Sequence, residues 1–124
     1  MFWKKSGRAA GNDGEQLACT YLEHQGLVTV ERNFSTRQGE IDLIMREQNT
    51  LVFVEVRLRS RSDYGTGADS VTRRKQQRLI ITANQFLQKR FGNNPPACRF
   101  DVVSIGGQNA EKIDWIKDAF QPAG

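Results

Sequence analysis

Gly39-Glu40-Ile41-Asp42-Leu43-Ile44-Met45-Arg46, then Glu47-Gln48-Asn49-Thr50, then Leu51-Val52-Phe53-Val54-Glu55-Val56-Arg57-Leu58 is the stretch that decides the fold. Ile41, Leu43 and Met45 sit at alternate positions in the first run, and Val52, Val54 and Val56 do the same in the second. A period of two marks β-strands, and the polar tetrad between the runs predicts a hairpin. With an even-length turn centred on Gln48 and Asn49, Asp42 faces Glu55 and Glu40 faces Arg57. Strand residues two apart share a face, so Glu40, Asp42, Glu55 and Arg57 project from one side. Ile41, Leu43, Met45, Val52, Val54 and Val56 make the other side an apolar face for a helix. An odd-length turn would flip this parity and disperse the acids.

Asp42 opposite Glu55 sets two like charges about 5 Å apart at Cβ, which is destabilising by itself. Either one acid keeps its proton or a cation lies between them. Hard carboxylate oxygens suit Mg²⁺ or Mn²⁺, whose shells water and phosphate oxygens complete. The plainer alternative is a solvated ion-pair ladder, Glu40 with Arg57 and Asp42 with another arginine. Glu55 interrupts the apolar run from Leu51 to Val56, and a buried acid needs a partner. That interruption favours function.

Outward from the hairpin, Leu17, Ala18, Tyr21 and Leu22 recur at helical spacing between Asp13, a plausible N-cap, and Gly26, a plausible stop. Leu27 to Phe34 reads as a strand. A loop over Ser60–Asp69 leads to a long helix, capped by Ser70 or Thr72 and running to about Arg90, with Leu79, Ile80, Ala83, Phe86 and Leu87 on its inner side. Gly92-Asn93-Asn94-Pro95-Pro96 ends that helix. Cys98–Ile105 is a further strand, and Lys112–Ile116 a short edge strand. The class is α/β: an αβββαβ core with a mixed sheet flanked by helices. Residues 1–12 read as a mobile basic arm and residues 13–124 as a single domain.

The 124 residues suffice for one core without staples. No run of about 18 apolar residues exists, which excludes a membrane-spanning helix. The start lacks a secretory apolar segment, so a cytoplasmic location is expected. Two cysteines, Cys19 and Cys98, make no disulfide scaffold and read as small core residues. With His24 as its one histidine, the chain cannot build a multi-histidine zinc site.

The formal net charge is +4. Between Arg57 and Arg90, nine cations face only Asp63 and Asp69, a local balance of +7. Such segregation suits a phosphate backbone bound by counterion release. Arg59, Arg61, Arg73, Arg74 and Arg78 are the candidate nucleic-acid contacts. A solvated cationic face without a partner would read the same way.

Gly39-Glu40-Ile41-Asp42-Leu43-Ile44 followed by Phe53-Val54-Glu55-Val56-Arg57 resembles the PD-(D/E)xK nuclease core, the restriction-endonuclease-like fold. Within it the chain is similar to the YraN-type family of endonuclease-like proteins. Gly14-Glu15, Arg32-Asn33, Lys75 and Arg99-Phe100-Asp101-Val102-Val103 carry the likeness through the rest of the chain.

The resemblance implies that Asp42 and Glu55 bind a metal, Mg²⁺ or Mn²⁺, with Glu15 of the first helix completing the site. It implies a metal-dependent endonuclease, similar in fold to Holliday-junction resolvases and a tRNA-endonuclease domain, acting on nucleic acid, with DNA placed ahead of RNA but the choice left open; a homodimer is compatible with it. Arg57 stands where the motif has lysine, and an arginine stabilises charge but cannot be deprotonated to act as a base. Lys75 could supply the missing ammonium. The alternatives are an inactive nucleic-acid-binding module and a protein-interaction domain using the basic helix.

Overall fold

The computed structural model describes residues 8–59, 71–106 and 112–122. In chain order the elements are α1 (Arg8–His24), β1 (Val28–Ser35), β2 (Glu40–Glu47), β3 (Thr50–Leu58), α2 (Arg73–Phe91), β4 (Cys98–Gly106) and β5 (Lys112–Phe120). The expected α/β class and αβββαβ order hold. The fifth strand extends past Ile116 to Phe120. Helix α1 starts at Arg8, not at Asp13: Arg8-Ala9-Ala10 are good helix formers, and no proline interrupts the backbone before His24. Residues 1–7 of the expected arm lie outside the described residues, as do the Ser60–Asp69 loop, Arg61 within it, and Ser70.

The strands form one sheet in the order β1-β2-β3-β4-β5. Three neighbouring pairs are antiparallel, whereas β3 and β4 run parallel and are joined through α2. The hairpin register is the expected one: Leu43 faces Val54, Met45 faces Val52 and Glu47 faces Thr50. Its turn is the two residues Gln48 and Asn49, with Gln48 at φ 56°. That positive φ is what the tight hairpin turns require at their first central position.

Helices cover both faces. On one face Ala18, Cys19 and Leu22 of α1 pack against Leu43, Met45, Val52, Val54, Val56, Val103 and Ile105. On the other, Leu79, Ala83 and Phe86 of α2 pack against Ile41, Ile44, Leu51, Phe53, Phe100 and Val102. The hairpin's polar side is therefore not a solvated face: its distal half is core and its proximal half lies at the start of α2.

Ile41 departs from the expected alternation and joins the α2 cluster, opposite to Leu43. The β2–β3 pairing extends only as far as Leu43 and Val54, and beyond it the strands part. Freed from the ladder on that side, β2 follows β1, where Ile41 pairs with Phe34 and Glu40 with Ser35. Glu40 is thus placed opposite Ser35 and not opposite Arg57. Of the two cysteines, Cys19 is in the core, but Cys98, at the first residue of β4, is exposed.

Gly26 ends α1 at φ 102°, a conformation that glycine adopts without a Cβ penalty, and Leu27 N–H returns to the Leu22 carbonyl at 3.0 Å. Thr72 caps α2, its hydroxyl accepting from Lys75 N–H at 3.1 Å. No helix among the described residues is long and apolar enough to cross a membrane.

Candidate active site

The parting of β2 from β3 creates the site. Where the ladder stops, Oδ2 of Asp42 accepts the Val56 backbone N–H at 2.9 Å. The carboxylate thus takes an amide that strand pairing would otherwise have used, and a buried amide needs such an acceptor. Asp42 is 1% exposed. Glu55, next to Val56, projects toward α2, because its parallel-register neighbour Val102 belongs to the α2 cluster.

Glu55 Oε2 lies 2.5 Å from Lys75 Nζ; the carboxylate is buried, whereas the lysine side chain is 42% exposed. Lys75 is there because Thr72 caps α2 three residues earlier, directing the first turn over the carboxyl end of β3. The end of a parallel strand beside a helix N-terminus is where α/β sheets place their clefts. A cleft of about 360 Å³ opens at this point, lined by Gly39, Glu40, Glu55, Thr72, Lys75, Arg78 and Leu79.

Gly39 admits no side chain: a Cβ there would lie 2.9 Å from Thr82 Oγ1. That hydroxyl is fully buried and donates to the Arg78 carbonyl at 2.8 Å, so it cannot yield freely. The close approach holds the start of β2, and Glu40 with it, against α2.

Arg57 is half-buried two residues beyond Glu55, in register with Ser104 on β4. Arg57 Nε and Ser104 Oγ are both buried without a hydrogen-bond partner among the described residues. Glu15 is 1% exposed, on the stripe of α1 that also carries Ala18, Cys19 and Leu22. Its neighbour Gln16 accepts from Arg32 Nη1 at 2.9 Å, and Arg32 pairs with Leu43, one residue from Asp42. Glu15 therefore sits level with the parting of the strands, but across the sheet from Lys75. Among the described residues no three His, Cys, Asp or Glu side chains are grouped so as to hold a metal ion.

The candidate contacts divide. Arg73, Arg74 and Arg78 are exposed on the first turns of α2. Arg59 instead forms an ion pair with Asp114 of β5 at 3.1 Å. Arg61 lies outside the described residues.

A second polar cluster was visible in the sequence only as part of a family likeness. Asp101 is fully buried on β4 and accepts from Arg99 Nε, Trp115 Nε1 and the Asp118 backbone N–H, each at 2.9 Å. Arg99 reaches on to Glu47 at 2.7 Å. The hydrogen bond from Arg99 holds the Glu47 carboxyl below its usual range, against the opposing effect of burial. Burial works against the Arg99 charge, yet its bonds to Asp101 and Glu47 outweigh that and raise its proton affinity. With Asp118 at φ 52° and every Asp101 oxygen engaged, this cluster latches edge strand β5 to the sheet. No periodicity argument could have found it, since its members come from three strands.

Residues 14–105 match the model of the "Uncharacterised protein family UPF0102". A UPF0102 protein of Nitrosomonas europaea is 50% identical over 110 residues, covering 89% of this chain and 92% of its own. One from Nitrosococcus oceani is 47% identical over 115 residues, covering 92% and 93%. One from Pseudomonas aeruginosa is 44% identical over 122 residues, covering 94% and 96%. The matched span takes in Glu15, Asp42, Glu55 and Lys75 together, and on that span the chain belongs to the UPF0102 family.

Proposed function

We propose that this protein binds nucleic acid and hydrolyses phosphodiester bonds in the cleft under the first turns of α2, with Mg²⁺ or Mn²⁺ as cofactor. The observation that carries the reading is the Glu55–Lys75 pair. It sets a buried carboxylate against an ammonium inside an open cleft, beside the point where Asp42 parts two strands. The αβββαβ order and the runs around Asp42 and Glu55, similar to those of PD-(D/E)xK nucleases, support the same reading.

The donor chemistry fits a divalent cation. Asp42 and Glu55 offer hard oxygens from adjacent strands, and Mg²⁺ usually takes one or two protein carboxylates. The resemblance adds Glu15 as a third ligand, while among the described residues no three such side chains are grouped so as to hold an ion. When bound, the ion supplies an acidified water and neutralises phosphate charge. Lys75 and Arg78 face the cleft as fixed cations that favour the negative charge accumulating on a phosphate during attack. An arginine where the motif has lysine can hold a phosphate but does not serve as a base toward a water.

Arg57 also supports a second reading, an idle module that keeps the fold and the nucleic-acid surface. Incubation with supercoiled plasmid and with a four-way DNA junction, in Mg²⁺, Mn²⁺ or chelator, separates the two. A working nuclease cleaves only with the divalent ion and loses cleavage in Asp42→Asn and Glu55→Gln. Salt-dependent binding without cleavage under any ion leaves the idle module. Absence of salt-dependent binding removes both and leaves the basic helix to an acidic protein partner.

A further inference from the structure

Helix α2 has a property that a catalytic cleft does not need. Its 19 residues include six cations, Arg73, Arg74, Lys75, Arg78, Lys89 and Arg90, and no acid. Three of the cations stand in the first turn, at the positive end of the helix dipole, where basic residues are unfavourable. The cations gather at the two ends. Between them the exposed stripe reads Gln77, Ile81, Asn84 and Gln88, at helical spacings of four, three and four. Ile81 is a large apolar side chain left 45% exposed. A shallow depression of about 430 Å³ on this face is lined by Ile81, Asn84, Gln85, Gln88 and Lys89.

From this pattern we infer that the outer face of α2 docks in the major groove of double-stranded DNA. Its exposed terminal cations Arg73, Arg74 and Lys89 meet phosphates, Lys75 and Arg90 being engaged by Glu55 and Glu31, and its central amides meet base edges. The inference rests on the nucleic-acid reading above and adds the substrate class and the reading surface. From Arg74 to Lys89 the helix axis runs about 22 Å, long enough for the two basic ends to reach phosphates on either side of a groove about 12 Å wide. Asn and Gln side chains pair with adenine in the major groove, and an apolar side chain packs on the thymine methyl. Gln77, Asn84, Gln88 and Ile81 are that set of side chains, which predicts a preference for A·T pairs. The deep, narrow major groove of duplex RNA does not admit such a helix. An acidic protein partner would satisfy the cations but has no use for an aligned amide stripe.

The test compares the full chain with a Gln77→Ala/Asn84→Ala/Gln88→Ala variant, after equal thermal midpoints show both folded. Affinity is measured over a range of salt for an A·T-containing DNA duplex, a G·C-only duplex, a single strand and an RNA duplex of matching sequence. The parent is expected to prefer the A·T-containing duplex by about tenfold or more, the scale of one good base contact. The variant is expected to lose that preference while its slope of log affinity against log salt stays unchanged, since its phosphate contacts remain. Equal parent affinity for duplex DNA, single strand and duplex RNA overturns the inference while leaving general nucleic-acid binding in place. So does a variant that keeps the parent's preference. Absence of salt-dependent binding to every probe overturns the nucleic-acid reading itself, and this inference with it.

Discussion

Lys75 Nζ lies 2.5 Å from Glu55 Oε2, tying the first turn of α2 to the middle of β3. The acid is buried and the lysine is 42% exposed, so the pair is only partly desolvated. Removing the cation leaves a buried carboxylate without compensation. Lys75→Met is expected to destabilise the fold by about 1–2 kcal/mol, less than a fully buried pair because solvent screens the lysine. Mg²⁺ should then raise the unfolding midpoint of Lys75→Met more than that of the parent, because the ion takes over the neutralising role. Identical midpoints with and without Mg²⁺ in both proteins would count against a cation at these acids.

Asp42 carries two separable duties. Its Oδ2 satisfies the Val56 amide, and an orphaned buried N–H costs about 1–3 kcal/mol. Asp42→Ala should lose about that much stability, whereas Asp42→Asn keeps an acceptor and should lose far less. On the proposed nuclease reading, Asp42→Asn should nonetheless abolish cleavage and bind DNA as well as the parent or better, because it removes a negative charge that would repel phosphate. Thermal unfolding and binding in chelator check both duties. Equal loss of binding in metal-free buffer would place Asp42 in the binding surface instead.

Arg57 is half-buried, with its Nε buried and lacking a hydrogen-bond partner among the described residues. If the protein is the nuclease proposed above, Arg57→Lys should retain cleavage or increase it, because an ammonium there resembles the nuclease motif, and Arg57→Ala should abolish it. Initial rates on a plasmid decide. A lysine variant as inactive as the alanine variant would show that the guanidinium itself is required.

Arg73, Arg74 and Arg78 are exposed at the start of α2. Replacing all three with glutamine should weaken binding to every nucleic acid and lower the salt slope by about 2–3, near 0.9 for each phosphate no longer neutralised. An unchanged slope removes these residues from the interface.

How much of this was legible in the sequence depends on the range of the interactions. The hairpin register followed from parity alone, and Leu43 facing Val54 is the result. Parity failed one step later, at Ile41, because it assumes that pairing continues, and β2 there leaves β3 to follow β1. The acids were identified by the same reading, but their partners were not. Glu55 meets Lys75, twenty residues along the chain and on another element, a distance over which spacing carries no information. Helix α1 began earlier than Asp13 because a good N-cap residue is not obliged to serve as one. The likeness that singled out Arg99 and Asp101 gave no role for them, since that role depends on Trp115 and Asp118 across a register shift in β5.

The Glu47–Arg99–Asp101 cluster gives the fold a dependence on pH that is independent of any activity. Arg99 Nη1 reaches Glu47 at 2.7 Å, and this hydrogen bond holds the Glu47 carboxyl below its usual range, with burial opposing it and the charges of Arg99 and Lys117 reinforcing it. A carboxyl whose folded pKa is depressed stabilises the fold above its unfolded pKa, near 4.3 for a glutamate, and that contribution is lost as pH falls through the folded value. Glu47→Gln removes the charge at every pH. Its thermal midpoint should therefore fall below the parent's at pH 7, and the gap should close as both are acidified toward pH 3. Asp101→Asn keeps the size of the side chain but strips the charge from a site with three donors, at an expected cost of about 2–4 kcal/mol. A Glu47→Gln gap that stays constant from pH 7 to pH 3 would show that Arg99 is held by Asp101 alone.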